Sequence, residues 1–420
     1  MRIHIKTFGC TANKADSLRM RQLLTASGHT FTDTDDSADM VLVNTCTVTQ
    51  TTQRNVLKYI RSVSGAGKQV IVAGCLPAAQ PDTLEGIDCR TITPSSLEDI
   101  TDIAGKGDSE ISPSSDSYIG ASMVEGVTGV VSISQGCLGH CSYCIVRQAR
   151  GELISRPIPE IVNELGSLIA EGARELQLTS QDVAAYGLDT GDRLPDLLKA
   201  ITTIYGDHMI RVGMMNPFTV LDIVDEVANA FKDPHIFKFL HLPIQSGSDR
   251  VLESMNRKHT VDEFKHIVQT FRQKFPHIIL STDFIVGYPT ETDEDFNATL
   301  KLLEDIKPQK VNITRYSSRP KTSASLLHDM PDWQKKERSR TLTNSHHSLN
   351  RKLLQKKIGE QSRILTTEAG KNNSTIGRDI YYNIVAVSEN LPLGEWHNVI
   401  IVDSTTTYLI GSLKKDFLLD

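Results

Sequence analysis

Gln135-Gly136-Cys137-Leu138-Gly139-His140-Cys141-Ser142-Tyr143-Cys144 places three cysteines in a CxxxCxxC spacing, with an aromatic residue before the last. Three thiolates this close can hold three irons of a cubane 4Fe–4S cluster. No fourth local cysteine follows, so one iron is left open to a small chelating molecule. S-adenosylmethionine, with its amino and carboxylate groups, suits that position. An electron from the cluster can cleave its sulfonium and release a deoxyadenosyl radical. The alternative is zinc, but structural zinc sites want four protein ligands, from paired CxxC arms or added histidines. Here only His140 lies near, inside the loop.

Working outward, the loop follows a strand predicted over 127–134. Further strands are predicted at 176–179, 209–214, 239–243, 279–286 and 310–314, with helices at 158–171, 194–205, 220–231, 261–274 and 292–306. Strand–helix repeats of this kind predict an α/β fold, here an incomplete (β/α)6 barrel over 121–355. Its active site is expected at the carboxyl ends of the strands, where Cys137, Cys141 and Cys144 fall.

The first hundred residues also alternate, with strands at 2–7, 40–44 and 69–73 and helices at 13–27 and 56–63. That pattern predicts a small parallel α/β domain over 1–104. Loops at the carboxyl edge of such a sheet converge, which makes neighbours of Cys10, Cys46 and Cys75, each just after a strand. Three ligands again match a cluster with one open iron. Single buried cysteines are also ordinary core residues, and the residues alone leave both readings standing. Cys89 follows a turn-like Gly86-Ile87-Asp88 and fits neither set. Residues 105–120 are rich in Ser, Gly and Asp and predict a linker. After a long charged helix at 333–358, strands at 362–367, 380–387, 398–403 and 407–413 predict a small antiparallel β-barrel over 356–420. It is either an oligonucleotide-binding module or a plain packing domain.

Composition sets bounds on this reading. The chain has 420 residues, 39% hydrophobic and 23% charged, as expected of a soluble globular protein with several domains. No apolar run approaches the ~20 residues of a membrane helix, and the amino terminus lacks a secretory apolar core. A cytoplasmic location without membrane association is expected. Seven cysteines, an odd number, then point to metal or catalysis rather than disulfides. Net charge is −6, yet residues 331–363 hold nine Lys or Arg against three acids. That segment is either a local polyanion contact or a solvated helix face.

Together these features resemble the methylthiotransferases of the radical S-adenosylmethionine superfamily. The resemblance rests on Thr7-Phe8-Gly9-Cys10-Thr11-Ala12-Asn13-Lys14-Ala15-Asp16-Ser17, Asn44-Thr45-Cys46-Thr47-Val48 and Ala73-Gly74-Cys75-Leu76-Pro77. It continues through the central motif, Ala149-Arg150-Gly151, Ser155-Arg156, Leu242 to Asp249 and Asp283 to Thr292. It implies two 4Fe–4S clusters, with Cys10, Cys46 and Cys75 as ligands of the second, S-adenosylmethionine as co-substrate, and an RNA-binding TRAM domain at the carboxyl end. The versions at residues 9–16 and 178–187 are similar to the archaeal and eukaryotic branch. That branch places a methylthio group on carbon 2 of N6-threonylcarbamoyladenosine beside the tRNA anticodon. Eukaryotic members carry a membrane anchor, and its lack here favours the soluble archaeal type. Isopentenyladenosine or a ribosomal-protein aspartate as acceptor, or a non-catalytic iron–sulfur sensor that binds RNA, are the other readings. A tRNA partner, an electron donor and a sulfur donor are implied.

Barrel position and resemblance together imply the remaining site residues. Tyr143, Ser180, Gln181, Asp182, Arg211, Gln245, Ser246, Gly287 and Pro289 are expected around S-adenosylmethionine, Arg211 on its carboxylate and Gly287 allowing close backbone approach. Arg315, Tyr316 and Arg319 are expected on the modified base, through its threonyl carboxylate and by stacking. Ordinary loop or core roles are the alternative for each. One stretch departs from the family: Arg319-Pro320-Lys321-Thr322-Ser323-Ala324 stands where the family tends to have Arg-Pro-Gly-Thr-Pro-Ala.

Overall fold

The structure, a computed structural model, describes residues 1–105 and 124–414. Apart from Gly105, the predicted linker lies outside the described residues, as do residues 415–420. No helix among the described residues is long and apolar enough to cross a membrane.

The amino-terminal unit is a parallel sheet of β1 (Arg2–Thr7), β2 (Thr30–Phe31), β3 (Met40–Thr45), β4 (Gln69–Gly74) and β5 (Arg90–Ile92), in the order β2-β1-β3-β4-β5. β3 is buried along its whole length, because helices cover both faces. Its side chains alternate accordingly. Met40 and Leu42 pack with Leu23 and Leu24 of the helix Thr11–Ala26. Val41 and Val43 pack with Val56, Ile60 and Val63 of the helix Gln50–Gly65. The edge strands β2 and β5 are too short to leave a period in the sequence.

The central unit begins with β6 (Thr128–Ser132) and a short antiparallel pair, β7 (Ser134–Gln135) and β8 (Ile154–Ser155), whose connection is the cysteine loop. It continues through β9 (Glu175–Thr179), β10 (Met209–Arg211), β11 (Phe239–His241), β12 (Ile279–Val286) and β13 (Lys310–Arg315). Two parallel ladders form, β6-β9-β10 and β11-β12-β13. Phe237 N donates to Ile210 O (3.0 Å) and Met215 N to His241 O (2.9 Å), which stitches the ladders together. The expected six-strand incomplete barrel is therefore present, around one core that includes Leu165, Leu198, Phe231, Phe264, Phe271 and Leu303. Reciprocal capping boxes start two of its helices, Thr260 with Glu263 and Thr292 with Asp295.

A 24-residue helix, Asp332–Gln355, leads to a closed barrel of β14 (Gln361–Ala369), β15 (Thr375–Asp379), β16 (Ile384–Val387), β17 (Trp396–Ser404) and β18 (Leu409–Leu413). Its pairings are antiparallel except β16 with β18. The single strand expected at 380–387 is corrected here. Asp379 Oδ1 accepts from Tyr381 N and Asn383 N, Tyr382 takes a φ of 66°, and the chain turns between two strands. The basic helix is also divided. Arg338 is buried against Glu291 and Asp293, and Lys335 against Asp329, whereas Arg340, Arg351, Lys352 and Lys356 are exposed.

The turn at Tyr382 closes the amino-terminal end of the central barrel. The phenol donates to Glu175 Oε1 (2.5 Å), and the ring meets Phe237 edge-on. The Lys310 ammonium lies 4.7 Å from its centroid. Burial, with help from the Arg378 and Arg211 charges, pulls the Lys310 pKa down from 10.5 to about 7. A lysine with a depressed folded-state pKa binds fewer protons folded than unfolded between those values, so it makes stability rise with pH across that window. The melting temperature of the parent is expected to climb from pH 7 to pH 10 relative to Lys310→Met. Parallel curves for the two proteins would contradict this.

Candidate active site

The amino-terminal cysteines converge because three loops are pinned to one another. Asn13 Nδ2 donates to Asn44 Oδ1 (3.1 Å) and Thr45 O (3.0 Å), Asn44 Nδ2 to Asn13 O (2.7 Å), and Thr45 Oγ1 to Ala73 O (2.6 Å). Glycines permit this closeness. A Cβ on Gly9 would lie 2.9 Å from Cys46 Cβ, and one on Gly74 would fall on Asn44 Oδ1. Cys46 and Cys75 are buried and Cys10 is exposed. Burial, then the neighbouring Cys75 and Cys10, push the Cys46 thiol up to about 11.

The central triad is wrapped by its own loop. Gly139 N donates to Cys137 Sγ (3.2 Å) and Val146 N to Cys144 Sγ (3.4 Å). A Cβ on Gly139 would sit 3.3 Å from Cys137 Sγ, in the space between the thiols. Burial pushes Cys144 up to about 12. Such thiols are neutral on their own and become thiolates on metal binding. A cubane takes one thiolate per iron, which three thiols at each site can supply, and Gly9, Gly74 and Gly139 keep a Cβ out of the space beside those loops.

The two triads share a scaffold. Cys75 opens the helix Cys75–Ala79, and Cys144 precedes the helix Val146–Arg150. Cys75 and Ala79 pack against Ile145 and Ala149. The loop after β13 braces both sides. Arg319 donates to Thr47 O (3.1 Å) and Gln53 Oε1 (2.7 Å) beside Cys46, while Ala324 N donates to Ser142 O (2.8 Å) inside the central loop. Between them is a cavity of about 230 Å³, lined by Thr49, Tyr143, Cys144, Gln245, Asp283, Asn312, Arg315 and Tyr316 among others. A separate cavity of about 720 Å³ reaches Cys10 from the other side, past Lys14 and Arg21.

Of the expected contact residues, Tyr143, Gln245, Arg315 and Tyr316 line the smaller cavity. Others support it from behind. Gln181 Oε1 accepts from Gly136 N (2.7 Å) at the start of the cysteine loop. Asp182 is buried, accepting from Ala184 N, Asn216 N and Thr219 Oγ1, and Ser180 Oγ accepts from Asp182 N. Ser246 is fully buried, its Oγ accepting from Ser248 N.

The structure places three of the expected residues away from the cavity. Arg211 does not reach the cysteine loop: β10 ends with it, level with Gln177, and its guanidinium stacks over Phe239 and Tyr382 at the barrel floor. Gly287 makes room for Lys335 of the long helix, which a Cβ would overlap at 2.5 Å. It lies with Pro289 in a turn closed by Gly287 N donating to Glu291 Oε2 (2.7 Å). Arg319 is the buried brace just described, turned away from the cavity.

Sequence reasoning missed Arg257. Its Nη1 lies 3.6 Å from Cys141 Sγ and its Nη2 donates to Pro243 O (2.9 Å). The same turn holds the loop through Ser142 N to Met255 O (3.0 Å) and Asn256 Nδ2 to His140 O (2.7 Å). The signal available was a polar Asn256-Arg257-Lys258 run beyond the fourth barrel strand, where ligand-binding loops lie.

The departure at Lys321 has a structural consequence. Its φ is +59°, in the left-handed region that glycine occupies without strain, and its side chain is exposed. Lys321→Gly is expected to stabilise the chain by about 0.5–1 kcal/mol, read as a higher denaturant midpoint at unchanged slope. A lower midpoint would show that the lysine side chain contributes more than its backbone costs.

Comparison with known proteins covers the whole chain. The Radical SAM superfamily model matches residues 131–303, the uncharacterized protein family UPF0004 residues 2–91, and the TRAM domain residues 355–414. A probable threonylcarbamoyladenosine tRNA methylthiotransferase of Archaeoglobus fulgidus is 40% identical, with 99% of each chain covered. The threonylcarbamoyladenosine tRNA methylthiotransferase of Mus musculus is 34% identical, over 98% of this chain and 74% of its own. Among solved structures, the radical S-adenosylmethionine methyltransferase TsrM from Kitasatospora setae superposes with a TM-score of 0.54 at 15% identity, covering 74% of this chain and 72% of that one. That likeness speaks for the fold. Three domain matches in order, and relatives similar from end to end, place the two cysteine triads in a known context: the chain belongs to the threonylcarbamoyladenosine tRNA methylthiotransferase family of radical S-adenosylmethionine proteins.

Proposed function

We propose that this chain adds a methylthio group to carbon 2 of N6-threonylcarbamoyladenosine, next to the anticodon of tRNA. The observation that carries this reading is the pair of cysteine triads joined through one helix contact, in a chain similar from end to end to enzymes named for that nucleoside. Cys137, Cys141 and Cys144 hold a 4Fe–4S cluster, and Cys10, Cys46 and Cys75 hold a second. When bound, the central cluster would supply the electron that splits S-adenosylmethionine into methionine and a deoxyadenosyl radical. The second would carry the sulfur to be transferred, and a further S-adenosylmethionine would supply its methyl group, leaving as S-adenosylhomocysteine.

The chain's own residues orient the reactants. Tyr143 and Gln245 would border S-adenosylmethionine, while Gln181, Ser180 and Asp182 hold the loop and strand ends that shape its pocket. Ser246 and Pro289 act through the backbone turns that they stabilise. Arg315, exposed at the cavity rim, would pair with the threonyl carboxylate, and Tyr316 would face the base. An anticodon-loop base is already single-stranded, so its extrusion into the cavity costs little. The carboxyl-terminal barrel, with Arg340, Arg351, Lys352 and Lys356, would hold the phosphate backbone.

The test is anaerobic reconstitution with dithionite, S-adenosylmethionine, sulfide and a tRNA carrying N6-threonylcarbamoyladenosine, followed by mass spectrometry of the digested nucleosides. The 2-methylthio nucleoside is the expected product. Deoxyadenosine without it would redirect the assignment to another acceptor, and neither product from iron-loaded protein would overturn the radical reading.

A further inference from the structure

We propose that Arg150, supplied by the central domain, is a positioning residue for the amino-terminal triad, and that its charge, opposed by Asp16, sets the reduction potential of the cluster held there. This rests on the second-cluster reading above.

Arg150 ends the helix that follows Cys144, six residues beyond that cysteine. Its side chain nevertheless belongs to the other triad. The guanidinium is 3% exposed and reaches the 8% exposed carboxylate of Asp16, Nη2 to Oδ2 at 2.6 Å and Nη1 to Oδ1 at 3.4 Å. The helix that it ends packs through Ile145 and Ala149 against Cys75, and its charge acts on Cys75, Cys10 and Cys46. Asp16 lies on the helix that Cys10 caps, so each partner of the ion pair comes from a different cysteine loop.

A buried ion pair is a poor source of stability, because desolvating both charges offsets most of their attraction. Its presence between two cysteine loops calls for another role. Three thiolates and four irons carry net negative charge, and cluster potentials respond to nearby charge and to hydrogen bonds on sulfur. The arginine charge acts on all three cysteines, and Asp16 opposes it at Cys75. A positive charge there favours the reduced state. The helix contact that seats Arg150 also fixes the Cys75 loop against the loop of the central cluster, so charge tuning and spacing come from one residue.

The test is a potentiometric titration, followed by electron paramagnetic resonance, in the full-length chain carrying Cys137→Ala, Cys141→Ala and Cys144→Ala, so that only the amino-terminal cluster is read. The step is uptake of one electron from dithionite, with no bond made or broken. Loss of a unit charge at contact distance, at an effective dielectric of about 20 and partly offset by the partner, is expected to change the reduced-to-oxidised ratio about tenfold, ~59 mV. Arg150→Met should lower the potential and Asp16→Asn should raise it. Arg150→Lys should stay near the parent, and the double variant Arg150→Met with Asp16→Asn should return toward it. A purely structural pair would shift both single variants the same way or not at all, and either result would overturn the proposal. If Arg150→Met fails to hold iron, Asp16→Asn reads the same interaction, and no upward shift there overturns it. A parent chain that assembles no cluster on Cys10, Cys46 and Cys75 would overturn the second-cluster reading itself, whereas a cluster of unmoved potential overturns only the role of Arg150.

Discussion

Alanine at position 136 is expected to empty the central triad of iron and abolish cleavage of S-adenosylmethionine. Gly136 immediately precedes Cys137 and takes a φ of +86°. A Cβ there would fall on the carbonyl oxygen of Glu152 and lie 2.9 Å from Leu153 N. Both are backbone atoms and cannot rotate aside. They are held in place by the β7–β8 pairing, Gln135 with Ile154, and by Cys137 N donating to Gly151 O (3.2 Å). Strain at positive φ plus a backbone clash gives a local cost of about 3–5 kcal/mol. The loop can escape that cost only by opening the pair, which moves Cys137 away from Cys141 and Cys144. Iron and acid-labile sulfide per chain, and deoxyadenosine released after reduction, are the readouts. Gly151→Ala is the control. Its φ is also positive, at 76°, but no atom lies within 4 Å of the added carbon. With a ψ of −160° it lies in a region that glycine alone adopts readily, so the substitution should cost only that strain, about 1–3 kcal/mol, and keep its iron. Full iron and normal deoxyadenosine in Gly136→Ala would show that the loop tolerates a displaced β7.

The contrast between these two glycines indicates what a sequence can reveal. Both glycines flank the cysteine loop, and only the fold shows which one meets another backbone. The same division runs through the site. The central cysteines were legible from their spacing and the amino-terminal ones because each follows a strand, and strands of parallel sheets announce themselves by apolar runs such as Met40 to Val43. Loop convergence at one sheet edge then follows from topology. Arg150 and Arg257 were not legible in these roles, because their partners Asp16 and Cys141 are 134 and 116 positions distant. No period or spacing carries that information. The surroundings of Arg211 and Gly287 were hidden for a related reason. Arg211 was read from its place on the third strand and Gly287 from following the fifth, yet Arg211 is level with Gln177 in mid-strand and lies over Phe239 and Tyr382, and the long helix occupies the space beside Gly287. The run from Ile380 to Val387 misled because its apolar and aromatic residues look continuous, while the break depends on one carboxylate, Asp379, accepting from two amides.

Tyr382→Ala is expected to weaken the seating of the carboxyl-terminal barrel by about 3–5 kcal/mol, the usual cost of deleting a buried aromatic side chain. Tyr382 is 6% exposed and sits in a turn with no regular pairing of its own. Its ring nevertheless touches Phe237 and Phe239 of the central barrel and lies under the Lys310, Arg378 and Arg211 charges. Removing it leaves an apolar void and takes away the π face that these cations share. Glu175 would lose one donor but keep Gln177 Nε2 at 2.6 Å, so Tyr382→Phe should cost only about 1 kcal/mol. Backbone strain does not change, because alanine inherits the φ of 66°. The two cysteine triads lie at the opposite ends of the strands, so the damage should remain local. Iron content and deoxyadenosine formation in the absence of tRNA should match the parent. Hydrogen exchange in β14 to β18 should accelerate, and the tRNA concentration needed for half-maximal product should rise with little change in the maximal rate. Unchanged exchange in those strands would mean that the helix Asp332–Gln355 alone holds the domain. Loss of iron would mean instead that the barrel floor supports the cysteine loops, because disorder would then have passed along the strands from Glu175 and Lys310 to the triad at their far ends.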